Sequence, residues 1–230
     1  MQRLTGDIIG DLRMAMAQRM GSERVRGWIK EQSEPYRELM SYYRCALMEV
    51  ETKFRVLNEE LSLDGEANPI ESIETRVKSP ESIIEKIQRK GFDFTVESIE
   101  RNINDIAGIR VICSYEQDVY MLADALLRQS DVKLIERKDY IAHPKENGYR
   151  SLHLIIAVPI FLHDCTRVMK VEVQLRTLAM DMWASLEHKM LYKKDDARRT
   201  EKVRRNLIEC AELSKRLDEL MTETRALIEK

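Results

Sequence analysis

The stretch His143 to Ile156, HPKENGYRSLHLII, puts a lysine, an amide, an aromatic ring, an arginine and a histidine where a turn enters an apolar run. A purely structural turn needs few of these residues, whereas a nucleotide site can use them all. A second stretch, VEVQLRT from Val171, alternates. Side chains of a strand point to opposite faces in turn, so Val171, Val173 and Leu175 share one face, and Glu172, Gln174 and Arg176 the other. The same rule puts His153 with Ser151 opposite Leu152 and Leu154, Arg76 with Lys78 opposite Val77, and Arg110 opposite Ile109 and Val111. Any one such strand reads more readily as an ordinary solvated face. Together, Arg76, Lys78, Lys86, Arg110, Lys138, Lys145 and Arg176 are placed to line a polyphosphate groove. Two acids stand among them, Asp105 and Glu172. A carboxylate pair among cations suits Mg²⁺ on nucleotide phosphates, because this ion keeps several waters and takes one or two protein carboxylates. The chain has no Walker A sequence, no GxGxxG and no kinase-type catalytic loop, so side chains rather than a glycine cradle must hold the phosphates.

These residues need a scaffold, and the rest of the chain spells one out. The patterns predict a short helix over 7–20, ending at Gly21. A longer helix is expected from a Ser33 cap with Pro35 in its first turn, with an apolar stripe from Leu39 to Leu61. A loop at 64–69 leads to a strand at Ile73–Lys78, then a helix from Ser79-Pro80 to Lys90, stopped by Gly91. Strands are expected at 108–114, 132–138, 151–158 and 167–176. Helices are expected at 116–128 and from Leu178 to about Tyr192, and a loop at Pro159–Thr166. Beyond Asp195 only helix signal remains, with Val203, Leu207, Cys210, Leu213, Leu217, Leu220 and Leu227 as its stripe. The expectation is an α/β (α+β) fold: a mixed sheet of about five strands flanked by helices, with helical extensions at both ends. The terminal stripes fit packing on the sheet and subunit contact equally well.

Composition narrows the classes. Of 230 residues, 43% are hydrophobic, enough for a core, and the 34% charged fraction implies long solvated helices. A net charge of −2 argues against a protein built chiefly to grip a nucleic-acid backbone. Cys45, Cys113, Cys165 and Cys210 form no CxxC pair and read as reduced thiols. With no apolar run of membrane length and no signal core, the expected location is the cytoplasm. His163-Asp164 lies in a loop without further histidine partners and reads as a chance dipeptide rather than a metal motif.

Four stretches together resemble the RelA/SpoT synthetase family: RVKSPESIIEKI, NDIAGIRVIC, HPKENGYRSLHLII and VEVQLRTLAMDMWASLEHK, in the family's order and spacing. The resemblance covers about residues 70–195, and the WASLEHK ending is that of a small alarmone synthetase. It implies a nucleotidyltransferase-like synthetase fold, with residues 1–63 a helical extension, 64–195 the synthetase domain and 196–230 a C-terminal helix. It implies transfer of pyrophosphate from ATP to the 3′-hydroxyl of GDP or GTP, with GMP a further candidate acceptor, giving ppGpp or pppGpp in the stringent response, with Mg²⁺ and without hydrolase activity. By the same resemblance, Arg76 and Arg110 stack on adenine, and Lys78, Ser82 and Lys86 hold the ATP phosphates. Asp105 and Glu172 bind Mg²⁺, and Glu172 helps deprotonate the acceptor hydroxyl. Tyr149 stacks on guanine, and Gly148 lets its turn approach the ligand. Lys138, Lys145, Asn147, His153, Gln174 and Arg176 position the acceptor. Lys138 stands where many relatives have arginine, which keeps the charge but loses the two-pronged phosphate grip. A homotetramer is the expected assembly. The alternatives are a related pyrophosphokinase acting on a tRNA 3′ end or an adenine nucleotide, and an inactive module that binds nucleotide or RNA.

Overall fold

A computed structural model of the chain describes residues 22–63, 68–191 and 201–228. The short helix expected over 7–20 lies outside the described residues. The first helix, α1, runs Ser22–Leu61, and Pro35 lies inside it rather than in its first turn. Proline removes one intrahelical hydrogen bond. The helix continues because the turns after it are pinned: Tyr36, Leu39, Met40, Tyr43, Leu47, Val50 and Phe54 are all buried at helical spacing.

The sheet contains β1 (Ile70–Val77), β2 (Ala107–Cys113), β3 (Lys133–Asp139), β4 (Leu152–Phe161) and β5 (Thr166–Thr177), in the order β1-β2-β5-β4-β3. Only β2 and β5 run parallel; the other neighbours are antiparallel. The mixed five-strand sheet with flanking helices is the architecture expected above. α1 lies across β1, β2, β4 and β5, and its stripe packs in one core with Ile109, Val111, Leu152, Leu154, Ile156, Val171, Val173 and Leu175. Burying each such side chain contributes roughly 1.5–3 kcal/mol. For α1, therefore, the packing reading of its stripe holds.

Strands β4 and β5 extend further than expected, which shrinks the predicted loop to residues 162–165. Pro159 is tolerated in β4 because β3 pairs with that strand only as far as Ala157, leaving the edge at Pro159 free of a ladder partner on that side.

Between β1 and β2 lie α2 (Pro80–Lys90) and α3 (Val96–Asn102). α2 starts and stops as predicted: Ser79 caps it, accepting from the Ser82 amide, and Gly91 ends it at φ 68°. α3, capped by Thr95, has only seven residues, too few to show a period, and the sequence patterns missed it. α4 (Glu116–Leu127) packs on the α1 side of the sheet through Val119, Leu122 and Leu126.

After β5 come α5 (Leu178–Leu191) and α6 (Glu201–Ile228), which pack on each other. The predicted stripe of α6 does not face inward. Its buried residues are Ala211, Ser214 and Asp218, while Leu213, Leu217, Leu220 and Leu227 are exposed. No helix among the described residues is long and apolar enough to cross a membrane.

Candidate active site

Strand register sets the polar face in rows. One row reads Glu74, Arg110, Gln174, His153, Lys138 across all five strands. The next reads Arg76, Gly108, Glu172, Ile155, Glu136. The alternation read from single strands thus becomes a common surface once the strands pair.

On the β1–β2 side, a hollow of about 310 Å³ is lined by Glu74, Thr75, Arg76, Gly108, Ile109, Arg110 and Gln174. Arg76 and Arg110 are diagonal neighbours, a relation that spans roughly 7–8 Å. Gly108 sits opposite Arg76, and a Cβ at Gly108 would lie 3.4 Å from Arg76 Nε. The missing side chain therefore leaves room for the guanidinium over the sheet. Arg110 reaches Glu74 at 3.1 Å and Asp181 at 3.5 Å, and its buried Nε has no hydrogen-bond partner.

Below this hollow, Asp105 receives Lys78 Nζ at 3.0 Å and Lys86 Nζ at 2.8 Å. Ser82 stands at the start of α2, with its hydroxyl accepting from Ser79 at 3.2 Å. The contact to Lys86 is an ion pair set off the hydrogen-bonding direction, so Asp105 Oδ1 is a buried oxygen without a hydrogen-bond donor. Burial pushes the Asp105 carboxyl up, but Lys86 and Lys78 together outweigh it and hold the group below its ordinary range.

On the β3–β4 side, a second hollow of about 480 Å³ is lined by Glu136, Lys138, Tyr140, Lys145, His153, Ile155 and Glu172. Two of its lining residues, His153 and Glu172, belong to a chain of polar contacts that runs on to Tyr149, Arg176 and Gln174. Arg176 Nη2 donates to the Tyr149 hydroxyl at 2.5 Å, and that hydroxyl lies 2.8 Å from His153 Nε2. His153 Nδ1 lies 3.3 Å from Glu172 Oε1. Arginine only donates, so the tyrosine proton is free to go to His153 Nε2. That leaves the histidine proton on Nδ1, directed at Glu172. Gln174 closes the loop: its amide donates to Glu172 Oε2 at 2.9 Å, and its carbonyl accepts from Arg176 at 2.9 Å. Burial raises the Glu172 carboxyl; His153 and Gln174 outweigh this and hold it below the usual range, while the charge of Asp105 pushes back up.

The remaining predicted residues fall around this hollow. Lys145 Nζ stands 4.5 Å from the Tyr140 ring centre and 4.7 Å from that of Tyr149. Lys138 pairs with Glu136 at 3.1 Å. Asn147 uses its side-chain oxygen on the Tyr149 amide at 3.2 Å, so it builds the turn that presents the ring. Gly148 needs correction. It has φ 89°, and a Cβ there would lie 2.4 Å from Ala211 Cβ, so its bareness admits the C-terminal helix rather than a ligand.

The sequence patterns missed Asp181 and Tyr140. Asp181 accepts from Arg176 at 3.1 Å and also approaches Arg110 at 3.5 Å, linking a residue of the first hollow to the Tyr149 hydrogen-bond partner. Nothing in the sequence alone announced it. Tyr140 had a signal: it stands two residues beyond Lys138 and so on the same face, just past the end of β3. His163 and Asp164 are 93% and 67% exposed, and no group of three metal-binding side chains occurs among the described residues.

Residues 75–197 match the model of the region found in RelA/SpoT proteins. The chain belongs to the RelA/SpoT family. Among its relatives, the GTP pyrophosphokinase YwaC of Bacillus subtilis is 42% identical over 193 residues, 84% of this chain and 91% of that protein. The crystal structure of small alarmone synthetase 1 from Bacillus subtilis, bound to its product pppGpp, superposes with a TM-score of 0.75 at 34% identity, covering 86% of this chain and 100% of that one. The same synthetase bound to AMPCPP gives a TM-score of 0.72 at 32% identity, covering 85% and 98% of the two chains. The family match includes Asp105, Glu172 and every lining residue of the two hollows except Glu74, and the likeness to small alarmone synthetases extends over most of the chain.

Proposed function

We infer that the protein is a (p)ppGpp synthetase: it moves the β,γ-pyrophosphate of ATP onto the 3′-hydroxyl of GDP or GTP and releases AMP. One observation carries this reading. Two hollows lined by charged and polar side chains share a single sheet face, with Glu172 in the wall of the second and Asp105 paired to Lys78 and Lys86. This is the layout a transfer between two nucleotides requires, because aligning donor and acceptor supplies much of the rate.

In the first hollow, Arg76 and Arg110 take the adenine between their guanidinium planes. Lys78, Ser82 and Lys86 take the phosphates at the start of α2, where helix amides also favour anions. The two lysines are neutralised on Asp105 until phosphates arrive to share them. In the second hollow, Tyr149 offers its ring to guanine, and base–aromatic stacking contributes roughly 1–3 kcal/mol. Lys138, Lys145, Asn147, Gln174 and Arg176 surround the acceptor and its phosphates. His153 holds Glu172 in place beside the hydroxyl. Glu172 enters the reaction ionised, ready to accept the acceptor proton as the new P–O bond forms. The bond to AMP breaks as charge spreads over the transferred oxygens, and fixed cations offset that charge.

The residues fit Mg²⁺. Asp105 Oδ1 is buried and faces Lys86 Nζ at 2.8 Å without an aligned hydrogen bond, both carboxyls are held below their ordinary range, and two protein oxygen ligands suffice for this ion beside substrate phosphates. Bound by Asp105 and Glu172, Mg²⁺ would supply charge neutralisation for the phosphates.

The four free cysteines suit the cytoplasm, where both nucleotides are found. A homo-oligomer, a tetramer by family resemblance, is supported by apolar residues left exposed at helical spacing: Leu178, Met182, Leu186 and Met190 on α5, and Leu213, Leu217 and Leu220 on α6.

The test is direct. Purified protein with Mg²⁺, ATP labelled in the β-phosphate and GMP, GDP or GTP is expected to give a labelled 3′-pyrophosphorylated guanosine nucleotide and AMP. Transfer to tRNA or adenine nucleotides with no guanine product would contradict the reading.

A further inference from the structure

The C-terminal helix turns small and polar residues inward: Ala211, Ser214 and Asp218 are buried, while its leucines at 213, 217 and 220 face out. What lies beneath explains the inversion. Gly148 touches Ala211 so closely that a Cβ on the glycine would sit 2.4 Å from the alanine methyl. Seven residues on, Asp218 Oδ2 accepts from Thr177 Oγ1 at 3.0 Å and from Arg150 Nη1 at 3.3 Å. Arg150, 7% exposed, also donates to Glu116 at 2.6 Å. Trp183 Nε1 donates to the Leu207 carbonyl at 2.9 Å, tying α5 to the same helix.

Arg150 directly follows Tyr149, and Thr177 directly follows Arg176. One carboxylate on α6 therefore grips the backbone neighbours of both residues that form the Tyr149–Arg176 hydrogen bond. A buried carboxylate is costly unless well partnered, and this one is kept at the junction of a turn, a strand end and a helix. The hydrogen bonds and ion pairs of Arg76, Lys78, Ser82 and Lys86 involve no α6 residue among the described contacts.

We propose that α6 is part of the acceptor site and that Asp218 is a positioning residue. Through Arg150 and Thr177 it sets the Tyr149 ring and the Arg176 guanidinium for the acceptor nucleotide, and it leaves the ATP side untouched. This rests on the pyrophosphokinase reading.

Initial rates of the full chain, with ATP and GTP varied separately, test it. Asp218→Ala is expected to raise KM for GTP about tenfold, the size expected for losing a hydrogen bond to a charged group, with KM for ATP within about twofold. Asp218→Asn keeps an acceptor oxygen for Thr177 and Arg150 and should restore most of the loss. Ala211→Val pushes α6 off Gly148 without touching any charge and should raise the same constant; with Asp218→Asn it decides the matter if Asp218→Ala fails to fold. Folded variants in which both KM values rise together, or in which KM for GTP does not move, overturn the proposal. An inactive wild type would instead sink the pyrophosphokinase reading beneath it.

Discussion

The two hollows are built by different means. On the β1–β2 side, cations are held apart by single ion pairs: Lys78 and Lys86 on Asp105, and Arg110 between Glu74 and Asp181. Arg76 is exposed. On the β3–β4 side, hydrogen bonds link Glu172, Gln174, Arg176, Tyr149 and His153 in turn, and His153 Nδ1 approaches Glu172 again at 3.3 Å. The first arrangement leaves charges to be redistributed by an arriving polyphosphate. On the proposed reading, the second holds Glu172 and the Tyr149 ring in place before any ligand arrives, where preorganisation would act on the reacting hydroxyl. One half is electrostatically sprung and the other rigid.

Substitutions should break the halves in different ways. The largest effect is expected at the junction. Asp105→Ala removes a carboxylate and frees two lysines, and should slow transfer by about 10²–10⁴-fold while circular dichroism stays that of a folded protein. Near-normal turnover would detach Asp105 from the chemistry. Tyr149→Ala should come next, raising KM for the acceptor by roughly 5- to 150-fold, the equivalent of one stacked base, with ATP little affected. Steady-state kinetics with each nucleotide varied in turn separates the two. Gly108→Ala should do the converse. A methyl 3.4 Å from Arg76 Nε pushes the guanidinium aside, so KM for ATP should rise by about threefold, and the acceptor constant should hold. Tyr149→Phe is the mildest. It keeps the ring but removes the hydroxyl between Arg176 and His153, and a loss of about 0.5–1.5 kcal/mol, seen chiefly in kcat, is expected. A change confined to acceptor binding would mean that the hydroxyl does not help hold Glu172.

The same contrast governs what could be read from the sequence. Alternation in VEVQLRT and SLHLII placed Glu172, Gln174, Arg176 and His153 on one face, and pairing register then brought them together. Ser79-Pro80 and Gly91 bounded α2 because capping is local chemistry. What escaped depends on tertiary contacts. Asp181 gains its role only because α5 leaves β5 in the direction of Arg110 and Arg176. Gly148 reads as a ligand-side glycine until α6 arrives against it. The stripe on α6 left inward packing and subunit contact open, and only the fold shows that Asp218 is buried while Leu213, Leu217 and Leu220 face out. Ser33 made a plausible cap, yet α1 passes through Pro35 because the packing of the turns that follow outweighs one missing hydrogen bond.

The central claim is that Glu172 stands between two nucleotide sites and serves the transfer rather than the binding. Glu172→Gln preserves shape and removes the charge. With β-labelled ATP and GDP, wild-type protein should place label on the guanosine product. The Gln variant should transfer at least about 10²-fold more slowly and yet bind a non-hydrolysable ATP analogue and GDP with affinities near those of the wild type. A Gln variant that transfers at close to the wild-type rate, or a wild type that leaves all label on adenosine nucleotides, would contradict the account.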